Sequence, residues 1–428
     1  MDTTTAFGLL MLFSTTVIIG YIGSLIFEKT KIPDAVWLLL FGVLIGPFLG
    51  MISRQSFIAF SPLLSAIAIV IILFDAGLNM NFYQVVREFP RSILLALLGI
   101  GFSMLCVGLL AQTFFGFSML QGLLLGAIVG GISSPVVISI TKGLKIKESV
   151  KTLLNLESVF TDPLCIIISI VIIETIVSSI SGSVIVHNIF SAFSIGAVVG
   201  ILAGLIWLFV LDLLKQKPFD YMLTLAILFV LYVFTETIGG SGAIVALFFG
   251  LVLGNAKVFS SILKLDKELK LDYLMKRFQS EISFFVRSFF FVFLGAIVMI
   301  NQALLVYAII ISATLVAIRF VVVQISTIKM NLARPEMNTV RVMAARGLAA
   351  AVLAQLPLAY NLPGAEIFPD VVFVVILTTV IYTTFAIKFS FMKTAEEKEK
   401  EQKGEKEETV SKKVNEILAA KEKKEAER

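Results

Sequence analysis

Two carboxylates, Glu157 and Asp162, stand in the stretch NLESVFTDPLCI (155–166), just before a long run of Ile, Val and Leu. An acid set against apolar sequence can take a cation or a proton, because either relieves the cost of a bare buried charge. On a helix Ser158 lies one turn before Asp162 and shares its face, whereas Glu157 is turned away by about 140°. The spacing therefore predicts separate roles, with Asp162 and Ser158 facing a site and Glu157 facing a neighbouring helix. Pro163 follows Asp162, removes a backbone donor, and is expected to loosen the helix and free a carbonyl at that depth.

Asp75, Glu174, Glu236, Arg287, Arg319 and Arg346 also fall in apolar segments. A charge at mid-bilayer costs at least about 2.5–3.5 kcal/mol, so each needs a partner or a task. Arg346 lies in RVMAARGLAAAVLAQLP, where small residues admit close neighbours and Gly347 and Pro357 mark possible breaks. It needs a carboxylate, and Glu157 is the expected partner. GAIVGGISSPVVISI carries matching features in Gly130, Gly131, Ser133, Ser134 and Pro135. Interrupted helices at corresponding places in two halves point to inverted repeats with a binding site at the breaks. Asp75 fits a funnel wall or a bracing contact, with bracing favoured.

Enzymatic chemistry is disfavoured by inventory. No general base accompanies the serines of GISSP. The single histidine, His187, falls in a short polar connection, and the two cysteines, Cys106 and Cys165, indicate neither a disulfide framework nor a zinc site.

The elements that must position these groups are membrane helices. Of 428 residues 58% are hydrophobic and 15% charged, more apolar surface than a soluble core could hide. Thirteen spans are expected, near 6–27, 34–53, 57–79, 90–115, 119–141, 153–180, 188–213, 220–239, 242–257, 277–299, 302–325, 339–358 and 369–391. The first lacks a basic leader region and reads as a retained helix. Lys and Arg crowd the connections after the odd-numbered spans, whereas the opposite connections carry only Arg54. The positive-inside rule then sets the N-terminus outside and the C-terminus in the cytoplasm. Residues 1–392 form the membrane domain, with core helices at about 90–180 and 302–391 and scaffold helices elsewhere. Residues 393–428 form a mixed-charge cytoplasmic tail, in which Val410, Val414, Ile417 and Leu418 fall at helical spacing.

The motifs carry a resemblance. ESVFTDPL resembles the Glu-Ser-x-x-Asn-Asp signature of the monovalent cation–proton antiporter superfamily, most closely the archaeal NhaP-type Na⁺/H⁺ antiporters. KIPDAVWLLLFGVLIGP, ILFDAGLNM, FFVRSFFFVFLGA and AARGLAAAVLAQLP are similar to that superfamily's other helices, in the same order. The resemblance implies an all-α polytopic fold of about thirteen helices, built as inverted repeats with two discontinuous crossing helices. It implies exchange of a monovalent cation, Na⁺ or also Li⁺, for H⁺ at a plasma membrane by a homodimer. Neither a resident cofactor nor a nucleic acid is implied. Asp162 would carry the ion or proton, with Ser158 and Glu157 beside the metal ion and Thr161, Ser133 and Ser134 lining the site. Glu157 would pair with Arg346, and Arg287 and Arg319 would brace helices. Thr161 replaces the usual Asn, and Ser133-Ser134-Pro135 replaces Thr-Asp-Pro, removing one expected acid. A single acid after a neutral residue favours electroneutral exchange. The alternatives are K⁺/H⁺ antiport and a non-transporting ion sensor.

Overall fold

The structure, a computed structural model, describes residues 14–23, 25–26, 32–50, 61–142, 144, 146–178, 182–214, 219–262, 273–299, 301–328, 330 and 332–390. The tail 393–428 and the basic residues Lys29, Lys31, Lys145, Lys215 and Lys217 lie outside them. The described residues form helices without strands. In chain order these are α1 (Ser14–Gly23), α2 (Asp34–Phe48), α3 (Ser61–Asn79), α4 (Phe82–Phe115), α5 (Met119–Ile128) and α6 (Ser134–Lys142). Next come α7 (Glu148–Ser178), α8 (Gly182–Leu214), α9 (Asp220–Thr237), α10 (Gly242–Gly254), α11 (Ala256–Ile262) and α12 (Tyr273–Ile297). The last are α13 (Gln302–Ser326), α14 (Arg334–Val342), α15 (Leu348–Leu353), α16 (Leu356–Ala359) and α17 (Ile367–Ser390).

Among the described residues seven helices are long and apolar enough to cross a bilayer, and shorter apolar helices fill the remaining expected spans. The fifth and twelfth spans are each two half-helices separated by non-helical backbone, at Val129–Ser133 and Met343–Gly347. Local chemistry sets several boundaries. A capping box of Ser118 and Gln121 opens α5, and Asn301 caps α13 through the amide of Ala303. Glycines let helices approach: a Cβ on Gly42 would lie 2.2 Å from the Val292 carbonyl oxygen, and one on Gly295 would lie 2.3 Å from that of Leu39. Gly77 and Gly250 do the same between α3 and α10.

Two expectations are corrected and one is met. Pro163 does not interrupt α7, which stays helical from Glu148 to Ser178. A proline removes one backbone bond, and the buried packing of Val159, Phe160, Cys165 and Ile166 holds the turns on either side. The break expected at Pro357 falls at Ala354–Gln355, between α15 and α16, and Pro357 stands in the first turn of α16, where its missing N–H is not needed. His187 belongs to α8 rather than to a connection.

Candidate functional site

The two non-helical stretches cross, and their contacts are mutual. The Ser133 amide donates to the Ala345 carbonyl at 2.8 Å. The Arg346 guanidinium reaches back to the carbonyls of Gly130 (2.9 Å) and Gly131 (2.7 Å). A Cβ on Gly347 would sit 2.3 Å from Ser133 Oγ, so only glycine admits this crossing. Helix α17 satisfies the second stretch: Thr383 and Thr379 accept from the amides of Ala344 (3.2 Å) and Arg346 (3.1 Å). Unwound backbone at membrane depth needs such partners, because lipid offers none.

Each break leaves one half-helix C-terminus, with free carbonyls and partial negative charge, inside the protein. Both are met by arginine. Arg346 occupies the carbonyls that follow α5, and Arg319 Nε donates to Val340 O at 2.9 Å in the last turn of α14. At the opposite end of the first break Ser134 opens α6, and the positive end of that helix lies where Ser134 Oγ reaches Asp162 Oδ2 at 3.4 Å.

Asp162 is half-buried and bonds no cationic side chain among the described residues. It lines a cavity of about 440 Å³ with Ser133, Ser134, Asn155, Asp75 and Leu348. Along α7 the lining runs from Thr152 to Asp162, roughly 15 Å of helix, so the cavity leads from the Lys151 end down to Asp162. Asp75 stands on its wall and accepts from Asn79 (3.1 Å) and Ser280 (3.3 Å). Arg287 lines the same wall 3.9 Å from Asp34, an acid the sequence had not singled out. Asp34 follows Ile32-Pro33, and its place at the start of α2 was the available signal.

Glu157 and Thr161 face the other way. Both carboxylate oxygens of Glu157 are taken by Arg319, with Arg319 Nη2 2.8 Å from Oε2. The expected Glu157–Arg346 pair is therefore replaced by Glu157–Arg319, since Arg346 is committed to the glycine carbonyls. Thr161 Oγ1 accepts from the Ile132 amide at 3.1 Å and donates to Ser158 O at 3.0 Å, tying α7 to the first break. Ser158 is fully buried, and its hydroxyl donates to Asn155 O at 2.9 Å. The expected set Asp162, Ser158 and Glu157 is thus not brought together around one ion. Asp162 instead meets Ser134, and Ser133 Oγ beside it is buried with no hydrogen-bond partner among the described residues.

Residues 13–393 match the family described as sodium/hydrogen exchanger, transmembrane. The chain belongs to that family. Its fold is similar to that of the sodium proton antiporter MjNhaP1 from Methanocaldococcus jannaschii, with a TM-score of 0.76 over 90% of this chain and 99% of that one, at 23% identity. In sequence the chain is 29% identical over 251 residues to the K⁺/H⁺ antiporter NhaP of Alkalimonas amylolytica, across 56% of this chain and 43% of that protein. It is 30% identical over 198 residues to the K⁺/H⁺ antiporter NhaP2 of Shewanella sp. strain MR-4, across 45% and 34%. It is 27% identical over 290 residues to the probable Na⁺/H⁺ antiporter 2 of M. jannaschii, across 66% and 67%. The match thus spans less than half the length of the two K⁺/H⁺ relatives. As a member of this exchanger family the chain is a multi-pass membrane protein.

Proposed function

We propose that this chain exchanges a monovalent cation for a proton across the plasma membrane, with the two ligands competing for Asp162. The observation that carries the reading is Asp162 itself: a carboxylate with no cationic partner among the described residues, at the inner end of a cavity, where two broken helices cross. A hard monovalent cation takes oxygen ligands, and the Asp162 carboxylate, the Ser134 hydroxyl and water from the cavity supply them. A buried carboxylate without a cation binds a proton instead, because the bare charge is poorly solvated there.

Coupling follows from the same penalty. Core helices 90–180 and 302–391 carry Asp162 between the two faces of the membrane, against a scaffold made of the rest. Only the cation-bound or protonated form crosses at low cost. One carboxylate shared by one cation or one proton makes the exchange electroneutral. The lysine and arginine bias supports an outside N-terminus and a cytoplasmic C-terminus, so that the cavity faces the cytoplasm. In this reading the chain works as a homodimer joined through its scaffold helices. Na⁺ is the main substrate, with Li⁺ accepted.

K⁺/H⁺ antiport is the second reading. Ser134 stands where an acid is expected, which lowers the anionic field at the site, and two of the relatives at 29–30% identity are named K⁺/H⁺ antiporters. Proteoliposomes loaded with a pH-sensitive dye separate the readings. Na⁺- or Li⁺-driven dequenching that exceeds the K⁺ response supports the first, and a dominant K⁺ response supports the second. Silence with all three cations across pH 6 to 9 would defeat both.

A further inference from the structure

The cavity above Asp162 is walled in part by three elements that continue past it into a closed part of the protein. Ile72 of α3, Asp162 of α7 and Leu348 of α15 all line it. A residue seven positions along a helix keeps the same face to within about 20° and lies roughly 10.5 Å away. Helices α7 and α15 run away from the cavity mouth, and α3 runs toward it. The corresponding positions beyond the floor are therefore Ser169, Gln355 and Ser65. Ala354 and Gln355 keep right-handed helical dihedrals, so the register of α15 holds through residue 355. Helix α15 packs against both α3 and α7.

All three of these positions are polar. Ser65 is 1% exposed, and Ser169 and Gln355 are 0% exposed. Among the described residues neither serine hydroxyl has a hydrogen-bond partner, nor does either amide atom of Gln355. Each such buried group lowers the stability of the closed conformation. Helical hydroxyls usually return to the carbonyl four residues back, as Thr141 and Thr175 do here, so Ser65 and Ser169 keep free a bond that is normally satisfied locally. Five residues beyond Ser169, Glu174 lines a separate cavity of about 350 Å³.

We propose that Ser65, Ser169 and Gln355 line the passage by which the cation and water reach Asp162 from the side opposite the open cavity, a passage closed in this conformation. Opening it gives each unsatisfied group a water or cation partner, and this offsets the exposure of the apolar residues between them. The inference rests on the antiport reading for its cation, and the passage itself is tested separately.

The test uses the full chain in sealed vesicles of one orientation. Ser65→Cys, Ser169→Cys and Gln355→Cys are each treated with a membrane-impermeant methanethiosulfonate from the face opposite the Lys142–Lys151 connection. Reaction of the native Cys106 and Cys165 is subtracted with the unaltered chain. Val70→Cys, fully buried on α3 and turned about 140° from the Ser65 stripe, is the control. The expected result is modification of the three at least ~10-fold faster than Val70→Cys, since local opening reaches them and only larger unfolding reaches the control. Gln355→Leu, which removes the unsatisfied amide while keeping the volume, is expected to hold or raise the melting temperature and to slow exchange about 10-fold. Labelling no faster than the control, or full exchange in Gln355→Leu, overturns the proposal and leaves antiport standing. Rapid labelling in a chain that exchanges no cation keeps the passage and removes the antiport reading.

Discussion

Arg319 holds Glu157 through both terminal nitrogens while its Nε donates to the carbonyl of Val340, so one guanidinium ties α7 and α13 to the end of the broken helix α14. Arg319 is 4% exposed and Glu157 1%. Removing one member of a buried pair strands the other charge, at a cost of about 3–5 kcal/mol. Glu157→Gln and Arg319→Met should each lower the melting temperature sharply. The double variant should recover a large part of the loss, because no charge is then left unpaired. Additive losses in thermal melts of the purified protein would mean that the pair is not the unit described.

Arg346 bridges two carbonyls of the opposite break with a single terminal nitrogen. Arg346→Lys keeps the charge but shortens the reach to the two carbonyls, and Arg346→Met leaves both carbonyls unpaired. Exchange should fall in both, at least ~10-fold in the methionine variant, which loses about 1–3 kcal/mol per orphaned group. Normal exchange in Arg346→Met would show that the crossing does not need its bridge.

The crossing is equally intolerant of volume. Gly347→Ala places a Cβ 2.3 Å from Ser133 Oγ and 3.0 Å from the Ser133 backbone, so folded yield or exchange should collapse. Gly99→Ala, on α4 with no atom of another helix among the described residues within 4 Å of the new Cβ, should be neutral or stabilising by up to about 1 kcal/mol. Size-exclusion profiles and dye dequenching of the two variants give the comparison.

How far the sequence alone reached can be judged from these same residues. The Gly-Gly-x-Ser-Ser-Pro and Arg-Gly-Leu-Ala-Ala patterns announced two interrupted helices, because small, flexible and proline residues are the local determinants of a break. Asp162 stood out because a carboxylate without a nearby base in apolar sequence is expensive. The partner of Glu157 was not legible. Arg319 and Arg346 are both buried arginines, and only the depth at which α13 and α14 pass α7 decides between them. Helical spacing gave the faces of α7 but not what packs on each, so Ser158 was expected to face the site together with Asp162 when its hydroxyl is spent on its own helix. The unsatisfied amide of Gln355 was invisible for the same reason, since burial depends on all neighbouring helices at once.

Ser134 Oγ is the only hydrogen-bond partner of Asp162 among the described residues. Ser134→Ala should raise the KM for the cation several-fold with little change in folding, by loss of one oxygen ligand worth about 1 kcal/mol. Ser134→Asp adds an anionic oxygen beside Asp162 and should lower the KM for Na⁺ relative to K⁺. Identical cation KM values across the unaltered chain and the two variants would remove Ser134 from the site.

Competition at Asp162 is read most directly as proton release from the purified protein in weakly buffered solution when Na⁺ or K⁺ is added. A cation that displaces a proton from this carboxylate should release about one proton for each cation bound, because the site accommodates one unit of positive charge at a time. Asp162→Asn should release none while remaining folded. Proton release that persists in Asp162→Asn, or cation binding to the unaltered chain without proton release, would contradict the account.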